Sequence, residues 1–212
     1  MAARVLFVRH GESVGNQRGQ IQGWLDLPLT QKGIEQARCV AAALAGAGPV
    51  AAIYTSPLRR AATTAAEVGR VLGVPPEPDP DLRELDCGDA TGLTWDEFAR
   101  RFPEWAARIA ASAGWQERDD LWPSGESISR FRERCRAAIA RIVARHPADT
   151  VVVVAHGGSI GWALAYLLAW ESAQWPDCRL PNASISEVLV ERGAARLVRL
   201  GDVSHLGGED GD

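Results

Sequence analysis

Five consecutive apolar residues, Val151-Val152-Val153-Val154-Ala155, constrain the fold more than any other feature of the chain. β-Branched side chains are stiff at χ1 and favour extended backbone. A strand sends alternate side chains to opposite faces, so a run with no polar position leaves no face for water. Such a strand must be covered on both sides, and the common solution is a mostly parallel sheet with helices above and below.

The rest of the chain fits that frame. Arg4-Val5-Leu6-Phe7-Val8 reads as a second buried strand, and Val50 to Thr55 as a third. Thr30 reads as a helix N-cap, followed by Ile34, Ala37, Ala41 and Leu44 at helical spacing and a stop at Gly46-Ala47-Gly48-Pro49. Ser56-Pro57 opens another helix with Ala61, Ala65, Val68 and Leu72 on one face, and Gly73 ends it. Val74 to Pro80 is Pro-rich and extended. A longer helix is expected after Gly125-Glu126-Ser127, burying Ile128, Phe131, Cys135, Ile139 and Ile142. Gly157-Gly158 leads into a helix over roughly 159–170. Strands near 185–191 and 196–200 are joined by a hairpin-like turn at Arg192-Gly193. The fold class is therefore α/β: a three-layer sandwich, mostly parallel with an antiparallel edge. We expect one domain over 1–206, with a helical, lid-like insertion at about 94–125 rich in Trp and Phe, and a flexible tail over 207–212.

Composition narrows the partners. A net charge of −4 argues against nucleic acid, since tracking phosphates needs a basic excess. No apolar run approaches membrane-spanning length, and the N-terminus lacks the layout of a signal peptide. Cys39, Cys87, Cys135 and Cys178 are widely spaced, without a metal-type pairing, so we expect a cytoplasmic protein with reduced thiols. Oligomeric state is open between monomer and homodimer.

In doubly wound sheets, ligands sit beyond the carboxyl ends of the strands. Three polar segments fall there: Arg9-His10-Gly11-Glu12, Ser56 to Arg60, and His156-Gly157-Gly158. Any one alone would be unremarked. Together they suit a phosphate monoester, which arginine forks and helix N-termini bind well. Neutral imidazole is a usable nucleophile when one tautomer is fixed, and Gly11 permits close backbone approach beside it.

Arg9-His10-Gly11-Glu12-Ser13 with Asn16 resembles the signature of the histidine phosphatase superfamily, in its phosphoglycerate-mutase-like branch. Further likenesses follow in order: Gln22-Gly23; Pro28-Leu29-Thr30 with Gly33; Ser56-Pro57-Leu58-Arg59-Arg60-Ala61 with Thr63; Leu82-Arg83-Glu84 with Gly88 and Gly92; Gly125-Glu126-Ser127; and Ala155-His156-Gly157-Gly158. They cover about 4–206. The pattern is most similar to broad-specificity and alpha-ribazole phosphatase-type members. The resemblance implies that His10 is the transiently phosphorylated nucleophile and that Arg9, Arg59 and His156 clamp the phosphoryl group. It implies Glu84 as the general acid, with Asn16, Gln22, Gly23 and Gly157 lining the substrate side. Ala90-Thr91-Gly92 departs from the family, whose members often carry an aromatic and an acidic residue before that glycine.

The implied activity is a phosphomonoesterase acting on a small phosphorylated metabolite with no metal or other cofactor. The stretch from Glu84 to Gly125 is shorter than in cofactor-dependent mutases and rich in aromatic residues, which favours phosphatase over phosphoglycerate mutase. A phosphate-binding module without turnover is the third option, disfavoured because nucleophile and acid are both present.

Overall fold

The computed structural model describes residues 2–111, 119–170 and 180–207. Trp115 and Cys178, and all of the expected tail beyond Gly207, lie outside the described residues. In chain order the elements are β1 (Ala3–Arg9), α1 (Val14–Gln17), α2 (Gln31–Ala45), β2 (Ala52–Thr55), α3 (Arg59–Leu72), β3 (Pro76–Pro78), α4 (Trp95–Arg101), α5 (Pro103–Ala110), α6 (Ile128–Arg145), β4 (Thr150–Ala155), α7 (Gly157–Leu168), β5 (Ile185–Glu191) and β6 (Ala194–Asp202).

The described strands form one six-stranded sheet in the order β3-β2-β4-β1-β5-β6. The first four are mutually parallel, and β5 and β6 make the antiparallel edge. β4 lies between β2 and β1, and its valines divide between two layers as their alternation requires. Val151 and Val153 face α6 and α7, packing with Ile139, Ile142, Ile160 and Leu164. Val152 and Val154 face α2 and α3, packing with Val40, Leu44, Ala65 and Val68. Each such fully buried side chain contributes roughly 1.5–3 kcal/mol.

The expected helix faces hold. Thr30 caps α2, its hydroxyl accepting from the Gly33 N–H, and Ile128, Phe131, Cys135, Ile139 and Ile142 are all buried on α6. Gly73 ends α3 at φ +70°. Arg192 and Gly193 both have positive φ, the geometry of a tight hairpin turn. The Pro-rich stretch after α3 supplies β3, which runs beside β2 at the sheet edge. Proline lacks an N–H and is tolerated where one side of the strand is unpaired.

The aromatic segment is largely a packing device. Phe98 is fully buried, and Phe102, Trp105 and Trp122 close around it. Trp95 stays exposed. Among the described residues, no helix is long and apolar enough to cross a membrane.

Candidate active site

Three parallel strands end at the same edge, and the residue after each belongs to one cluster. β1 delivers His10, β2 delivers Ser56 and β4 delivers His156. The register pairs Arg9 with Ala155 and Thr55 with Val154, which brings the strand ends level. The His10 and His156 rings meet edge to face, with centroids 5.1 Å apart. His10 is 3% exposed and His156 1%.

Their hydrogen bonds separate the two imidazoles. His10 Nδ1 lies 2.7 Å from the Gly11 carbonyl oxygen, which only accepts, so Nδ1 carries the proton and Nε2 keeps its lone pair. Nε2 has no hydrogen-bond partner within the described structure. His156 Nδ1 accepts from Arg60 Nε at 3.2 Å; its proton is therefore on Nε2, which donates to Ser56 Oγ at 2.8 Å. Both histidines are held well below the usual imidazole range. For each the main cause is burial; next come Arg9 and Arg60 for His10, and Arg60, His10 and Arg9 for His156. The rings are neutral at pH 7.

The guanidinium that reaches the histidines is Arg60, which corrects the expectation of Arg59. Arg60 is 1% exposed and also donates to the carbonyls of Gly23 and Leu25, each at 2.8 Å. Arg59 lies on the exposed side of α3's first turn, where its backbone N–H is bonded to Asp26 Oδ1 at 2.7 Å. The reason is helical phase: α3 buries Arg60, Ala61, Thr64, Ala65 and Val68, so positions 59 and 63 face outward. The same shift applies to Thr63. Thr64 is the threonine that accepts the Gly11 N–H, at 3.2 Å.

Arg9 donates through Nη1 to the Leu180 carbonyl, while its buried Nε finds no acceptor among the described residues. Burial lowers the pKa of Arg9 and of Arg60, with Glu84 opposing in both, and both guanidinium groups stay charged at neutral pH. Glu84 reaches the cluster from a separate segment. Its carboxylate accepts from Gly158 N–H and from Leu85 N–H, each at 2.9 Å. Glycine at 158 leaves room for the carboxylate, since a Cβ there would run into Glu84 Oε1 and push that side chain aside.

Asn16 sits beside the loop that follows His10. Its Oδ1 accepts from Ser13 N–H at 3.1 Å and from Asn182 Nδ2 at 3.2 Å. Gln22 accepts from Ser13 Oγ through Oε1 and covers Gly15. Gly23, at φ +48°, holds Arg60 by its carbonyl and packs against Cys87. Gly157 lies beside Arg9: a Cβ there would be 3.9 Å from Arg9 Nε. Sequence reasoning missed Asn182, whose amide donates to the His10 carbonyl at 3.1 Å; it placed Ser56 at a strand end but did not pair it with His156. Asn182 precedes β5 in a loop, without the strand-end position that marks Ser56.

A buried imidazole with one committed nitrogen, two guanidinium groups and a carboxylate, gathered at the carboxyl edge of a parallel sheet, define a phosphoryl-transfer site. The family model for the histidine phosphatase superfamily, branch 1, matches residues 5–203, and the chain belongs to that superfamily. It is a phosphatase with the phosphoglycerate mutase-like fold. Phosphoglycerate mutase-like protein 4 of Arabidopsis thaliana is 35% identical over 96% of this chain and 87% of its own length. The metal-independent phosphoserine phosphatase of the same plant is 33% identical over 95% of this chain and 82% of its own. The solved structure of a mycobacterial glucosyl-3-phosphoglycerate phosphatase superposes with a TM-score of 0.82 at 33% identity, covering 95% of this chain and 99% of that one.

Proposed function

We propose that this phosphatase hydrolyses small phosphomonoesters through a phosphohistidine on His10, in the cytoplasm and without a metal. The observation that carries the reading is the fixed tautomer of His10: Nδ1–H is committed to Gly11, and the lone pair of Nε2 is left for phosphorus. Nε2 attacks in line as the ester P–O bond breaks. Glu84 gives its proton to the departing oxygen, releasing the alcohol. In the second step Glu84, now ionised, takes a proton from water, whose oxygen attacks the phosphohistidine. Inorganic phosphate leaves and His10 is neutral again.

Arg9 and Arg60 stabilise the charge that spreads over the equatorial oxygens. Arg9 Nε is buried with no acceptor among the described residues, and a phosphate oxygen would supply one. His156, beside His10, holds Arg60 through Nδ1, with Ser56 fixing its tautomer. Asn16, Gln22 and Gly23 shape the substrate side, and Gly157 leaves room beside Arg9. The relatives act on compounds named phosphoserine and glucosyl-3-phosphoglycerate, both carrying carboxylates, and acidic phosphometabolites are the first class to assay here.

The test is turnover of p-nitrophenyl phosphate and a panel of phosphometabolites, with and without EDTA, beside His10→Ala. Activity that survives EDTA and vanishes in the variant is expected. Loss in EDTA would remove the metal-free reading, and interconversion of phosphoglycerate isomers faster than phosphate release would make the protein a mutase.

A further inference from the structure

Arg134 lies on α6, beside the segment that carries Glu84, and all five of its N–H donors are used. Nε and one Nη2 hydrogen grip Glu126 at 2.8 and 2.7 Å, a two-pronged pair. Nη1 donates to the carbonyls of Asp81 and Arg83 at 2.9 and 2.6 Å, and Nη2 to the carbonyl of Glu84 at 2.8 Å. The pair is enclosed, with side chains 13% and 6% exposed. Glu126 is itself tied to the other flank of the segment, since its N–H donates to the Asp86 carbonyl at 3.0 Å. The Glu84 carbonyl takes a second bond, from Trp24 Nε1 at 2.7 Å. The Arg134 guanidinium also stacks 4.6 Å from the Phe131 ring centroid, and that ring packs against Gly158, which holds the Glu84 carboxylate.

The fold does not need this strap for a hydrophobic core. Burying an ion pair costs desolvation, and apolar residues of similar volume often serve stability as well. What a fork with five filled donors achieves is geometry: three carbonyls within four residues are locked to one rigid plane. Residues 81–84 run outside any helix or strand longer than one 3-10 turn, so no ladder of backbone hydrogen bonds fixes them otherwise.

We infer that Arg134, clamped by Glu126, is a positioning residue that sets the backbone of Glu84, so that its carboxyl meets the departing oxygen. The inference rests on Glu84 being the proton donor. Lysine at 134 keeps the charge for Glu126 but cannot span three carbonyls.

Leaving-group dependence separates this role from a merely structural one. An alkoxide needs a proton as it departs, whereas p-nitrophenolate does not. The quantity to compare is kcat/KM, which reports the first P–O cleavage, for β-glycerophosphate and p-nitrophenyl phosphate. The enzymes are wild type, Glu84→Gln, Arg134→Lys and Glu126→Gln. General acid catalysis is worth on the order of 10²–10⁴-fold, so Glu84→Gln should lose about that on the alkyl ester and far less on the aryl one. Arg134→Lys should lose roughly 10- to 100-fold on the alkyl ester with the same selectivity, a part of the acid's full effect. Glu126→Gln should follow in the same direction, more weakly, and stands in if the lysine variant does not fold. Added to Glu84→Gln, Arg134→Lys should produce no further discrimination between esters. Equal losses on both esters in the Arg134 and Glu126 variants, with Glu84→Gln still selective, would overturn this inference alone. If Glu84→Gln shows no selectivity, the proton-donor assignment falls and this inference with it.

Discussion

His10 and His156 occupy matching places, each one residue past a central parallel strand, each buried, each kept neutral by burial and the same two arginines. Position, burial and basicity therefore do not distinguish them. Their second nitrogens do. His10 spends Nδ1 on the adjacent backbone and has Nε2 in hand. His156 spends both nitrogens, on Arg60 and on Ser56. Three hydrogen bonds make two chemically equal side chains different, and under the proposed function that difference makes one the nucleophile and the other its support.

The comparison breaks most severely at the nucleophile. His10→Ala should lower kcat by on the order of 10⁴-fold or more, measured with p-nitrophenyl phosphate, whereas His156→Ala should leave measurable turnover. Next is the arginine held by the supporting histidine. Arg60→Ala should lose about 10²–10³-fold in kcat, the scale of removing one transition-state donor, and Arg59→Ala should stay within a few-fold. Equal losses at 59 and 60 would undo the distinction drawn from helical phase.

That distinction shows how far the residues alone could go. The valine run of β4 dictated a strand buried on both faces, and the three polar strand ends marked the site before any contact was known. The choice between adjacent arginines was also written in the chain: Ala61, Ala65 and Val68 define the inward face of α3, which puts 60 inside and 59 outside. A motif fixes residue types, and periodicity fixes direction. β3 was harder to see, because its prolines fit an edge and nothing else. Arg134 was not visible at all. α6 carries arginine at 130, 132, 134, 136, 141 and 145, and only the path of residues 81–86 makes one of them the strap.

A smaller effect is the dependence of stability on pH. In the unfolded chain both histidines titrate near their ordinary value of about 6.5, and in the fold each titrates lower. As pH falls the unfolded state takes up protons first. The stability tied to neutral histidines is whole above about pH 6.5 and is lost as pH falls from there toward their folded values. Tm should drop between pH 7.5 and 5, and the drop should be shallower in His10→Ala; an unchanged slope would remove His10 as a contributor. Smallest is Ser56→Ala, which takes the acceptor from His156 Nε2–H. It should cost about 1–3 kcal/mol in urea unfolding and slow turnover less than Arg60→Ala does.

The difference between the two imidazoles is tested most directly by trapping the enzyme during turnover. Rapid quench into alkali with a labelled phosphomonoester, followed by peptide mass spectrometry, locates the phosphoryl group. We expect an acid-labile, base-stable phosphate on Nε2 of His10 and none on His156. A phosphate on His156, or turnover of wild type with no phosphohistidine at all, would contradict that assignment.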